Sequence, residues 1–224
     1  NGFGFETWAS NLISESASDA VVVIATEGIT PIEVDGSVDP HAWNSLENGV
    51  IYVRNVAAAL GAIAPGLADQ VNGNAEAYIQ RLESVDRDIV RRVSRLSESN
   101  RTVVTSHDAF GYLAEDYGLT LLAPKGIDTD AEPTARKLAE LIEQLKNVGA
   151  AALFAENITS PALINQIALE TGLEVGGRLY SDALSVRGGP AKSYLEMFRH
   201  NTDSILEALE RSSQRGVPTE QEIV

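Results

Sequence analysis

The sequence predicts an α/β protein: two lobes with parallel sheets, joined by one long rigid helix. Three observations carry that expectation. Through the second half of the chain, short β-branched runs alternate with amphipathic helical patterns, the signature of βαβ units around a parallel sheet. A single helical pattern of about 30 residues, roughly 45 Å long, precedes that half. Strand and helix signals occur on both sides of it, which favours a strut between lobes over the other reading of such a pattern, a coiled coil. The expected division is 1–64 for part of a first lobe, 65–98 for the linking helix and 99–224 for the second lobe.

Taken in order, Asp19–Thr26 (DAVVVIAT) reads as a buried strand. The Gly-, Pro- and Asp-rich stretch after it reads as a loop. A helix is expected from about Asp39 to Ile63, because Trp43, Leu46, Val50, Val53, Ala57 and Leu60 recur at steps of three and four. Asp39 and Pro40 look like its N-cap and first-turn pair. Pro65 and Gly66 break it. The strut follows, with Leu67, Val71, Ala75, Tyr78, Leu82, Val85, Ile89, Val93 and Leu96 on one face. Beyond it come strand RTVVTS, a helix over 108–117 that stops at Gly118, and strand LTLLAP. A helix over 132–147, strand AALFAE, a helix over 160–171 that stops at Gly172, and strand EVGGRLYS follow. A long amphipathic helix and a polar tail, QRGVPTEQEIV, complete the pattern.

Composition narrows the function. The chain has 224 residues, 44% of them hydrophobic, and carries 17 basic against 32 acidic residues, a net charge of −15. Such a balance argues against nucleic acid or an anionic membrane as the main partner and suits a protein that handles cations or stays well solvated. With no cysteine, a disulfide framework, a thiolate metal site and a cysteine nucleophile are excluded. No apolar run approaches the roughly 20 residues a membrane span needs. The chain opens at Asn1 with neither Met nor a signal-like stretch, as a processed or trimmed chain would.

Ligands of open α/β sheets bind beyond the carboxyl ends of the strands. Strand RTVVTS runs into His107, and EVGGRLYS runs into Asp182. His41 stands on the other side of the strut, at the head of its own helix. Imidazole and carboxylate are standard ligands of divalent first-row metals. Asp39 and Asp108 neighbour the two histidines and are candidates to hold their second ring nitrogens. Against the metal reading, each residue has a bland alternative: a capping or solvated histidine, a turn aspartate. Glu156 ends AALFAE at the same edge and reads as a helix cap, with spare ligand or ligand-supporting group as alternatives. His200 reads as a surface residue, and Trp43 and Phe110 as packing residues.

DPHAWNSLENG, TSHDAFGYLAEDYG and RLYSDALSVRGGPAKSYLEMFRHN, in this order, resemble the zinc and manganese solute receptors of ABC transporters, the cluster A-I family. The resemblance runs through nearly the whole chain. It implies a metal ion held in the cleft between two α/β lobes joined by one long helix. It also implies, one by one, that His41 of DPHAW, His107 of TSHDAF and Asp182 of YSDALS are metal ligands. The family's further histidine, from another DPH-type motif, has no counterpart here, since no histidine precedes His41. An incomplete first lobe, with exposed strand edges, is the corresponding expectation. Manganese-selective members often carry Glu where this chain has His107. An imidazole there points to zinc, with manganese (or iron) as the alternative. The His-rich loop of many zinc members is absent from GITPIEVDGSV.

The resemblance thus implies an extracytoplasmic receptor, expected as a monomer in the periplasm or on the outer face of the membrane, that hands Zn2+ to an ABC permease. The glycines of SVRGGP, after Asp182, mark it as a candidate mobile loop. The rival class is a metal-dependent hydrolase or oxygenase using the same two histidines and one aspartate. Against that stands the lack of HExxH, GxSxG or an evident general base.

Overall fold

The computed structural model describes residues 1–16, 19–127, 133–148 and 150–215. The chain divides into two compact units, Asn1–Arg87 and Asp88–Val224. No helix of the described residues is long and apolar enough to cross a membrane.

In the first unit, helix α1 (Thr7–Glu15) is followed by the hairpin β1 (Glu33–Val34) and β2 (Ser37–Val38). Its two-residue turn is Asp35-Gly36, both with positive φ (52° and 80°), the geometry that Asp-Gly adopts in tight hairpins. Asp39 extends the hairpin by donating its N–H to Ile32 O at 2.8 Å. A single 3₁₀ turn (Ala42–Asn44) then leads into α2 (Leu46–Ile63). This corrects the expected helix start. Ser45 is the N-cap, its Oγ accepting the N–H of Asn48 at 3.1 Å. Asp39 does not cap, because its carboxylate turns to His41.

The strand expected over Asp19–Thr26 is not formed. Val21–Ile24 lie outside any ladder of the described residues and are exposed, Val21 at 70%. A β-branched run becomes a strand only where a neighbour accepts its backbone hydrogen bonds, and among the described residues none pairs with it.

Helix α3 (Ala68–Val93) follows a 3₁₀ turn at Pro65–Leu67, and the division between the units falls within it. Ile79, Leu82, Val85, Ile89 and Val93 form its buried stripe. Of the expected face, Leu67 is exposed and Val71, Ala75 and Tyr78 are only partly buried, Ile79 taking the place of Tyr78.

The second unit carries the parallel sheet. Its strands are β3 (Thr102–Val104), β4 (Thr120–Leu122), β5 (Leu153–Glu156) and β6 (Val175–Leu179), in the order β4-β3-β5-β6. Helices α4 (Gly111–Tyr117), α5 (Ala135–Val148), α6 (Ala162–Thr171) and α7 (Tyr194–Arg215) complete it. Gly118 and Gly172, both left-handed, end α4 and α6. Glu132, the expected start of α5, and the tail from residue 216 lie outside the described residues. Every residue of β3 and β5 is buried, as in central strands of a sheet covered on both faces. Val104, Leu141, Leu145, Leu153, Ile164 and Ile167 form one core cluster. At the end of α3, Arg92 donates to Asp203 and Glu210 of α7 at 2.6 and 3.1 Å. Burial works against its charge, but the two carboxylates outweigh burial and raise its pKa.

From β3 the chain passes to β4 on one side and returns to β5 on the other. The crevice beyond the carboxyl ends of β3 and β5 is therefore the topological switch point, where open α/β sheets bind ligands.

Candidate metal centre

Three residues past β3, His107 is fully buried at that switch point. Glu156, the last residue of β5, is 2% exposed and reaches across the crevice. Its Oε1 accepts the N–H groups of Ser106 and His107 at 2.8 and 2.9 Å, and its Oε2 lies 2.6 Å from His107 Nδ1. Thr105 Oγ1 donates to His107 O at 2.9 Å, closing the turn. Glu156 is therefore no helix cap; it secures the Ser106–His107 turn and its imidazole. The partner expected for His107, Asp108, gives way to Glu156 in this contact, although the Asp108 charge still bears on the ring. Burial disfavours imidazolium, but the Glu156 hydrogen bond and charge, then Asp182 and Asp108, overcome it and raise the His107 pKa above its ordinary value.

Asp182 follows β6 as His107 follows β3. Its Oδ2 lies 3.7 Å from His107 Nε2, and its side chain is 16% exposed. Sequence reasoning missed what holds it. Asn201 of α7, buried, accepts the Tyr180 N–H at 2.9 Å and donates to Tyr180 O at 2.7 Å. Asn157 donates from Nδ2 to Ala183 O at 3.1 Å, and its backbone N–H reaches Leu179 O at 3.0 Å. Two asparagines thus grip the backbone on either side of Asp182, leaving the carboxylate to face His107. No spacing signal in the sequence marks them. His200, expected on the surface, is partly buried and contacts Arg178 O at 2.9 Å through Nε2. The base of the SVRGGP loop is tied, with Ser185 N–H donating to Ala191 O at 2.7 Å and Ala191 N–H to Ser185 Oγ at 3.1 Å. Gly188 takes the left-handed φ of 88° within that closed turn.

In the first unit, His41 is 1% exposed and opens the 3₁₀ turn before α2. Asp39 Oδ1 accepts its backbone N–H at 2.9 Å and lies 2.6 Å from its Nδ1. Here the expected aspartate is in place. Trp43 packs edge-on to the imidazole at 5.3 Å between centroids, with Phe5 at 6.3 Å. Trp43 thus packs directly against the imidazole. Phe110, at the head of α4, is a buried packing residue.

What these groups offer is cation chemistry. A buried imidazole with Nδ1 against a carboxylate, found in each unit, and a carboxylate presented from a pinned loop are the ligand types that divalent metals take.

Comparison with known proteins agrees. The family model described as zinc-uptake complex component A, periplasmic, matches residues 1–208. The iron-binding protein YfeA of Yersinia pestis is 32% identical over 210 residues, covering 92% of this chain and 67% of that protein. The manganese-binding lipoprotein MntA of Halalkalibacterium halodurans is 29% identical over 210 residues, 93% of this chain and 70% of the relative. Among solved structures, the periplasmic zinc-binding protein TroA from Treponema pallidum superposes with a TM-score of 0.87 at 28% identity, covering 93% of this chain and 79% of that one.

Proposed function

This chain belongs to the family of the periplasmic zinc-uptake component A, and we propose on that premise that Zn2+ is the ion it captures. At the coarser level, it is a metal-binding receptor of an ABC transporter, acting outside the cytoplasmic membrane. The family is one of transport receptors, not enzymes, which sets aside a metal-dependent hydrolase or oxygenase built on the same residues.

His41, His107 and Asp182 are the ligands in this reading, and the ion is cargo. The observation that carries it is His107: a buried imidazole at the switch point, oriented by Glu156, with Asp182 Oδ2 3.7 Å from its Nε2. Nitrogen donors favour zinc over manganese in the usual order of divalent affinities. Relatives named for iron and manganese make these the competing cargoes, and the Asp182 carboxylate suits manganese. The receptor acts as a monomer and delivers its ion to the permease of the transporter.

Calorimetric titration of chelator-stripped protein with Zn2+, Mn2+ and Fe2+ tests this. One-to-one zinc binding, tighter than the other two and lost in His107→Ala, is expected. Preference for manganese or iron would overturn the zinc assignment. Absence of binding by any of the three would overturn the ligand set.

A further inference from the structure

His41 and His107 each have a buried carboxylate at Nδ1, hydrogen-bonded in the case of Asp39 and in close charge contact in the case of Glu156. Each carboxylate lies 2.6 Å from Nδ1 and also accepts the same histidine's backbone N–H at 2.9 Å. Asp39 does this with one oxygen; Glu156 divides the task between two. An ionised carboxylate can only accept hydrogen bonds. When the imidazole is neutral, the nitrogen facing the carboxylate therefore carries the proton, and the lone pair lies on the other nitrogen.

We propose that Asp39 and Glu156 are positioning residues that lock both histidines in the Nδ1–H tautomer, so that each offers only Nε2 to the cargo ion. The proposal rests on His41 and His107 being ligands. Ligand choice is then set before any metal arrives, and the backbone N–H bonds tie the ring to its turn so that tautomer and orientation are fixed together. Glu156 holds more of the backbone. It pins two successive N–H groups from a neighbouring strand, whereas Asp39 acts from two residues upstream.

The substitution Glu156→Gln separates positioning from folding. The glutamine oxygen still accepts the two backbone N–H groups, but its NH2 now faces Nδ1 as a donor. The lone pair is drawn to Nδ1 and the proton to Nε2. At Asp39 one oxygen serves both contacts, so an amide there can leave that acceptor in place. Asp39→Ala instead removes it and frees His41 to populate both tautomers.

The test is a long-range 1H–15N correlation spectrum of metal-free protein at a pH where the imidazoles are neutral, with zinc affinity measured in parallel. Expected are Nδ1–H tautomers for His41 and His107 in the wild type. Glu156→Gln should switch His107 alone, and Asp39→Ala should leave both tautomers populated at His41 alone, each with a roughly 10- to 100-fold loss of zinc affinity. Glu156→Asp should recover the Nδ1–H form at His107. A wild-type spectrum with the proton on Nε2 of either ring, which needs no variant to fold, would overturn the proposal. So would variants that keep both tautomer and affinity. Nδ1–H tautomers in a wild type that binds no zinc would support the positioning role and instead sink the ligand assignment it rests on.

Discussion

The two histidine turns each bring a carboxylate to within 2.6 Å of Nδ1, by different routes. His41 is served from within its own tripeptide: Asp39, Pro40 and His41 form one tight unit, delivered by the end of a hairpin. His107 is served by Glu156, which arrives on a separate strand and is anchored by the sheet core. A local arrangement depends on the conformation of a few residues. A non-local one inherits the stability of the core that brings its parts together. The His107 turn should therefore respond to core damage in the second unit, and the His41 turn only to changes beside it.

The largest effect is expected where the sheet itself is cut. Leu153 begins β5, is fully buried, and belongs to the core cluster. Leu153→Ala should destabilise the protein by about 2–5 kcal/mol, read as a lowered urea midpoint. Zinc affinity should fall with it, because Glu156 lies on the same strand. Unchanged affinity in that folded variant would break the link between core and turn. Gly176→Ala strikes the same strand from its neighbour. A Cβ at Gly176 would stand 2.8 Å from two ring carbons of Phe154 and 3.3 Å from Ala152 Cβ. Overpacking of that kind costs about 1–3 kcal/mol, measurable in the same denaturation curve.

On the other side of the comparison, Ser45→Ala removes the N-cap of α2, four residues after His41, and should cost about 1 kcal/mol. His107 resonances in the metal-free spectrum should not move. If they did, the independence of the two turns would be lost. The smallest effect belongs to the exposed run of the first unit. Val22 is 59% exposed, so Val22→Ala should change stability by no more than about 0.5 kcal/mol. A loss comparable to that at Leu153 would mean that the run is buried in solution.

This contrast also explains what is legible in the sequence. The parallel strands and their helices can be read because each has a periodicity and a punctuating glycine, Gly118 and Gly172 among them. The long helix shows its buried stripe. Val21–Ile24 mislead because composition reports fitness for a sheet but not the presence of a neighbour. The Asp39–Pro40 pair misleads because a cap and a histidine-binding aspartate look identical in sequence; Ser45 is the cap. Asp39 can be suspected beside His41, being two residues away. Glu156 shows in the sequence only as a strand end at the same edge, with support of a ligand as an alternative to a helix cap. Asn157 and Asn201 carry no mark at all, because the partners of all three lie 21 to 50 positions distant.

We propose that one zinc ion is ligated by His41, His107 and Asp182. X-ray absorption at the zinc edge, on protein loaded with one equivalent, tests it most directly. Two imidazole shells at about 2.0–2.1 Å are predicted in the wild type, and one in each of His41→Ala and His107→Ala where zinc is retained at high concentration. The same two imidazoles persisting in either variant would contradict it.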